Sequence, residues 1–294
     1  MFSKKYYLKI FAEKPEIFGS IPEKMLSNEQ FNEITGIPRL AVMEMSPGVS
    51  LEALLHTVLT NKPDAVLPTI SYTGTEYGTW EHYECLLRTI KKKLEKENRI
   101  YVAHPVIMGA PDLWWALNGR FASQLQKRFN FFTQCFCCRL YSFALRIPLC
   151  KKINAHTIFS AFQPRITSET MDDDTYITAQ KYYRMFLSSF GISLNYSMYD
   201  TTMQKVVNNT DAVCTHAPER HEIRCVFRNN LCNMDGFYDK PDNLSTFFES
   251  YAIPAAAKII SGTLAGKRVD YEREVRNTLL PVAGPKKKKR KKKV

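Results

Sequence analysis

Between residues 38 and 110 the apolar positions change period several times, and each change marks an element. Leu40-Ala41-Val42-Met43-Glu44-Met45 is a short apolar run closed by Ser46-Pro47-Gly48, which predicts a strand. Behind Ser50, an N-cap residue type, Leu51, Leu54, Leu55 and Val58 recur at helical spacing and predict a helix over 51–59. A second strand is expected over 64–72, with Pro68 marking a bulge or an edge. A helix over 80–96 and a third apolar strand over 99–108 follow. Strands and helices alternating at this spacing predict a parallel sheet with crossover helices, an α/β, Rossmann-like fold.

The second half continues the alternation less regularly. Phe129 to Ile153 holds the cysteine cluster and then a helix with an apolar stripe of Leu140, Phe143, Ala144 and Ile147 and a kink expected at Pro148. Thr157 to Phe162 is a fourth strand candidate. Asp172 to Asp174 place negative charge at the start of a helix that buries Tyr176, Ala179, Tyr183, Phe186, Leu187 and Phe190 and stops at Gly191. Thr201-x-x-Gln204 is a capping box for a short helix. A last helix over 243–261 is interrupted by Pro254. The expected organisation is an irregular extension over 1–36, an α/β domain with a cysteine-bearing metal-site segment over 37–262, and an extension over 263–294 whose end, 285–294, is a disordered polybasic tail.

Charge changes the picture less than its total suggests. The formal net charge is +12, but eight of the 41 basic residues fall between Lys286 and Lys293. Without those eight, 33 basic residues face 29 acidic ones, a net of +4. The tail would attract nucleic acid without sequence preference, or act as a nuclear import signal. The start of the chain lacks a secretory h-region, and the apolar stretch 129–150 is broken by Arg139, Arg146 and Pro148, so no membrane span is expected. A cytoplasmic, reducing address follows, where eight cysteines read as metal or redox groups rather than a disulfide framework.

The chemistry concentrates in Cys135-Phe136-Cys137-Cys138. A Cys-x-x-Cys pair puts two thiolates on one helical turn, and Cys225 can supply a third. Three thiolates on a [4Fe-4S] cluster leave one iron open; a fourth from Cys214 or Cys232 would close a structural zinc site instead. Cys214-x-His216 and His221-x3-Cys225 also have ligand spacing, and Cys137 is either a persulfide carrier or an inert neighbour. Cys85 and Cys150, isolated in helices, read as small buried apolar groups. Ser71-Tyr72-Thr73-Gly74-Thr75-Glu76, at a strand end ahead of a helix, has the composition of a phosphate loop, in which Glu76 either holds Mg²⁺ or repels the phosphate. Arg139 and Arg146 share a helix face, extended by Lys151 and Lys152, and could hold RNA phosphates. Trp114 and Trp115 are candidates for stacking a base.

These segments together resemble a known family. The strand, the loop at 71–76 and its helix, then Cys135-x-x-Cys138-Arg139-Leu140 through Lys151-Lys152, Ile158-Phe159-Ser160 and the distant Cys225, are similar to the PP-loop ATPases of the adenine nucleotide α-hydrolase-like group. Within it they look most like the three-cysteine iron–sulfur tRNA thiolation enzymes. The family's Ser-Gly-Gly-x-Asp-Ser hallmark is absent. The resemblance implies ATP with Mg²⁺ at Ser71, Thr73, Gly74, Thr75 and Glu76, a cluster on Cys135, Cys138 and Cys225, an RNA or nucleotide-like substrate, and a sulfur donor. The expectation is a nucleotide-dependent enzyme that adds sulfur to, or removes it from, a base; the alternative is a non-catalytic, zinc-stabilised RNA-binding protein.

Overall fold

The six-residue strand β1 (Leu40–Met45) is buried at every position, and so is the seven-residue β2 (Ala65–Ser71) beside it. Apolar runs of this kind fit strands covered on both faces, as parallel sheets require. In this computed structural model, which describes residues 28–45, 51–77, 81–162, 165–166, 169–170, 173–198, 224–227 and 241–280, β1 and β2 form the middle of an all-parallel sheet. β4 (Tyr101–Val102) and β5 (Val106–Met108) flank β2; β6 (Thr157–Phe162) and β9 (Ser193–Met198) continue the sheet beyond β1. The order β4/β5-β2-β1-β6-β9 reverses direction at β1, so the crevice past the carboxyl ends of these strands is where such sheets bind ligands. The α/β, Rossmann-like expectation holds.

Pro68 lies inside the sheet rather than at a free edge, paired in register with Met43 of β1. The strand on its other side is interrupted there: β4 pairs with Ala65 and Val66, β5 with Thr69 to Ser71. The missing proline N–H thus falls beside a gap in the outer partner, and the single strand expected over 99–108 is two short ones. Two-residue pairs complete the strands: β3 (Glu76–Tyr77) with β10 (Arg224–Cys225), and β7 (Arg165–Ile166) with β8 (Glu169–Thr170).

Ten helices are described: α1 (Asn28–Thr35), α2 (Leu51–Asn61), α3 (Glu81–Lys91), α4 (Pro111–Trp114), α5 (Ala122–Phe129), α6 (Gln134–Lys152), α7 (Asp173–Ser188), α8 (Leu244–Phe247), α9 (Ile253–Leu264) and α10 (Tyr271–Leu279). α1 corrects the irregular reading of residues 1–36, since Ile34 is buried against the core. α10 likewise anchors the segment after 263 through Val275. α8 runs through a wider turn, Phe248–Ala252, into α9, so Pro254 lies within one continuous helical run rather than interrupting it. α6 continues past Pro148 to Lys152. It is buried nearly all round, from Phe136 to Cys150, which makes it the central helix rather than an amphipathic surface one. The capping box at 201–204 and the tail lie outside the described residues.

Candidate metal centre

Two loops at the carboxyl edge of the sheet are tied to α6 by one side chain. The Tyr141 hydroxyl donates to the Tyr72 carbonyl (2.9 Å) and accepts from the Ala110 N–H (2.8 Å), so the segments following β2 and β5 share an anchor on the helix. Gly109 makes this approach feasible: a Cβ there would lie 2.5 Å from the Tyr72 ring. The loop 72–75 is thereby held beside the first turns of α6, where Cys135 and Cys138 sit three residues apart on one side.

Cys225 comes from the other direction. β10 pairs antiparallel with β3, setting Cys225 opposite Glu76 and Arg224 opposite Tyr77. The Val226 N–H donates to the Thr75 carbonyl (3.0 Å), and the Thr75 hydroxyl lies 3.4 Å from the Cys225 sulfur, which also accepts from the Phe227 N–H (3.4 Å). Burial pushes the Cys135 thiol up to about 12, with a further contribution from Cys225. Burial also pushes Cys138 well up; Trp114 opposes this, while Glu76, Cys225 and Cys135 add to it. Cys135 and Cys138 are thus both near enough to Cys225 to be raised by its charge, and all three cysteines are half-buried. Among the described residues, no three His, Cys, Asp or Glu side chains have metal-holding geometry, so the thiols are gathered but not drawn in to ligand spacing.

The residues around the thiols define the chemistry further. The Trp114 ring stacks on Phe227 (centroids 6.2 Å, interplanar 17°), and Phe132 lies 5.9 Å from Phe227 on another side. Cys137 points away into the core, fully buried, which matches an inert neighbour. Cys150 is buried as expected, whereas Cys85 on α3 is half-buried and disulfide-bonded rather than a free apolar filler. Cys214, Cys232, His216 and His221 lie outside the described residues.

The loop expected to hold phosphate closes on its own carboxylate. The Thr73 N–H donates to both Glu76 oxygens (2.9 and 3.1 Å), and the Gly74 N–H (2.9 Å) and the Thr73 hydroxyl (2.9 Å) join it. Gly74 adopts φ +85° to close this turn. The anion-seeking amides are thus occupied by Glu76, whose carboxyl is raised by burial although these donors oppose the shift. Ser71 faces away: it is buried, 3.2 Å from the Ser142 hydroxyl. The Thr75 hydroxyl is engaged by Thr73 (2.6 Å) and Cys225. In this arrangement the half-buried Glu76 carboxyl occupies the amides that a phosphate would use.

The basic helix face is corrected as well. Arg139 and Arg146 do share a face of α6, but it is the face against the sheet. Arg146 is fully buried and donates from Nε to the Thr69 hydroxyl (2.8 Å), from Nη2 to the Thr69 carbonyl (3.0 Å) and from Nη1 to the Ser142 carbonyl (2.6 Å). Arg139 donates to Glu44 (3.0 Å) and to the Ser160 hydroxyl (2.7 Å). Neither presents a guanidinium to RNA. Lys151 and Lys152 are exposed, yet sixteen residues of helix put Lys151 roughly 24 Å from Cys135. They belong to the opposite end of α6 from Cys135 and Cys138.

Sequence spacing found the three cysteines but missed Trp114 and Thr75 as their neighbours; nothing in the local text of a four-residue helix or a loop threonine announces such a contact. No family model matches the chain. It is similar to the uncharacterized protein MJ0009 of Methanocaldococcus jannaschii, 25% identical over 262 residues that span 85% of this chain and 90% of that one.

Proposed function

We propose that Cys135, Cys138 and Cys225 hold an iron–sulfur cluster with which the chain adds sulfur to, or removes it from, a nucleobase-like heterocycle. The observation that carries the reading is the arrival of three half-buried thiols from two distant segments near one another at the carboxyl edge of the sheet. The donor set fits: three soft sulfurs, and no histidine or further carboxylate among the described residues competing with them except Glu76, whose oxygens are already engaged by the loop. Such a cluster, when bound, supplies an iron without a protein ligand that can take up sulfide.

The chain's own residues do the rest. Clipping β10 to β3 fixes the third thiol; the Thr75 hydroxyl and the Phe227 N–H both lie at hydrogen-bond distance from its sulfur. Trp114, Phe132 and Phe227 give the site an aromatic side suited to a planar ring. Nucleotide assistance is not part of the proposal, since Glu76 fills the loop that would hold phosphate.

Iron and acid-labile sulfide measured in anaerobically purified full-length protein test the reading. About four of each per chain are expected, falling steeply in Cys225→Ser. Stoichiometric zinc without sulfide, or iron content indifferent to Cys225, would overturn it.

A further inference from the structure

Among the described residues, positive φ belongs to Gly74, Gly191, Gly266, Asn130 and Asn154, which tolerate it, and to two cations that seldom do, Lys62 at +46° and Arg99 at +58°. Each closes a helical turn just ahead of a strand. The Lys62 N–H is given to the Val58 carbonyl (2.8 Å) and the Arg99 N–H to the Glu95 carbonyl (3.2 Å). Glycine or asparagine would sit there at lower cost, so a cation at both positions points to use of the side chain. The strands that follow are neighbours, with Ala65 of β2 in register with Tyr101 of β4. Lys62 and Arg99 thus leave from adjacent places on the amino edge of the sheet, and both are exposed.

The rest of that edge carries the same sign. Lys96 is exposed in the turn before Arg99. Toward the other side of the sheet, the Lys151 amine lies beside the approach to β9, where a Cβ added at Gly191 would meet it at 3.6 Å. Four described carboxylates near this edge are engaged: Asp64 by Arg39 (2.5 Å), Glu95 by Lys91 (3.7 Å), Glu97 by Lys93 (2.9 Å) and Glu33 by the Tyr101 hydroxyl (2.6 Å). Among the described residues, Lys62, Lys96, Arg99 and Lys151 have no ion pair. Helix carboxyl ends favour cations one by one, but that preference does not ask for a left-handed backbone. From β4 to β9 the edge crosses four strand intervals, about 19 Å. Converging charges hold one small anion; charges set along a line of this length fit a chain of anions.

We propose that the amino edge, through Lys62, Lys96, Arg99 and Lys151, holds the phosphates of a single-stranded RNA without preference for its bases. This stands independently of the thiol centre. The run Lys286 to Lys293 supplies general attraction, and the edge gives the strand a fixed path on the body.

The probe is a short fluorescein-labelled oligouridylate, titrated into full-length protein at a series of salt concentrations. Lys62→Gly combined with Arg99→Gly should lower the slope of log affinity against log salt by about 1.4, at roughly 0.7 per cation, and weaken binding about tenfold or more near ~0.1 M salt. The urea midpoint of that variant should not fall, because glycine is at ease in the left-handed region. Lys96→Gln with Lys151→Gln should lower the slope by a similar amount. Lys181→Gln with Arg184→Gln removes as much charge from exposed positions of α7 and should leave the slope unaltered. Equal losses from the edge and from α7 would reduce the effect to net charge and overturn the inference, as would an unaltered slope in both edge variants. Weaker binding accompanied by a lower urea midpoint in both would assign these cations to the fold instead. Edge-dependent binding to phosphatidylserine vesicles, with oligouridylate affinity unchanged, would make the partner a lipid surface and equally overturn it.

Discussion

Glu44 is a carboxylate with no access to water, and it is held ionised by what surrounds it. Burial pushes its pKa up, but Arg139, Arg146 and the hydroxyls of Ser142 and Ser160 together more than offset that, leaving it below its ordinary value of 4.5. Ser160 donates to it at 2.5 Å, and Ser142 donates to the other oxygen. Arg146 shows the reverse balance: burial lowers its pKa and Glu44 only partly restores it. Two guanidiniums thus share one anion, and removing that anion strands both. Glu44→Gln should cost about 3–5 kcal/mol at neutral pH, read from urea unfolding. Because the folded pKa is depressed, this stabilisation is complete above the unfolded value and lost as pH falls below it. The gap between wild type and Glu44→Gln should therefore narrow as pH drops through about 4.5 and further. Equal midpoints at pH 7 would show that the arginines are held by the hydroxyls and carbonyls alone. The spacing of Arg139 and Arg146 revealed a common face correctly, but periodicity cannot say which side of a helix meets water. The cue was in the other residues of α6: almost all are apolar, so no side was left for solvent.

At the level of elements, the strands that carry continuous apolar runs were legible because burial on both faces writes itself into composition. β1, β2 and β6 sit within a residue or two of their expected bounds. β9 was missed, since Ser193-Leu194-Asn195-Tyr196 alternates weakly and follows directly on a helix stop. β10 is less legible still: two residues in a polar region form a strand only because β3 is there to pair with. That pair is what places Cys225, and a test of it needs a change that spares every ligand. Val226 is suited to this, with its side chain 59% exposed and its N–H given to the Thr75 carbonyl. Val226→Pro deletes that bond, and the proline favours the extended conformation that Cys225 already has. Losing about 0.5–1.5 kcal/mol of docking should weaken Cd²⁺ binding roughly two- to tenfold, with circular dichroism and urea midpoint unchanged. Unaltered affinity would mean that the strap is positioned by its aromatic contacts rather than by the clip.

Along α6, exposed charge and thiols lie at opposite ends. No described helix is long and apolar enough to cross a membrane. Arg139 and Arg146 are spent on Glu44, and the exposed Lys151 and Lys152 lie at the far end of α6. The remaining concentration of positive charge is Lys286 to Lys293, eight cations against a body of only +4. If the chain meets RNA, affinity should come from that run and carry the salt dependence of counterion release, while the thiol centre contributes selectivity for a reactive group. A chain ending at Pro285 should then lose up to about 6 from the slope of log affinity against log salt for single-stranded RNA, at roughly 0.7 per cation. Its iron and sulfide content should be unaltered, because the described contacts that gather Cys135, Cys138 and Cys225 all involve residues before 281. A slope that survives the truncation would relocate the RNA contact to the body, where Lys151 and Lys152 are the first residues to substitute. Metal loss on truncation would instead bind the two ends of the molecule into one site.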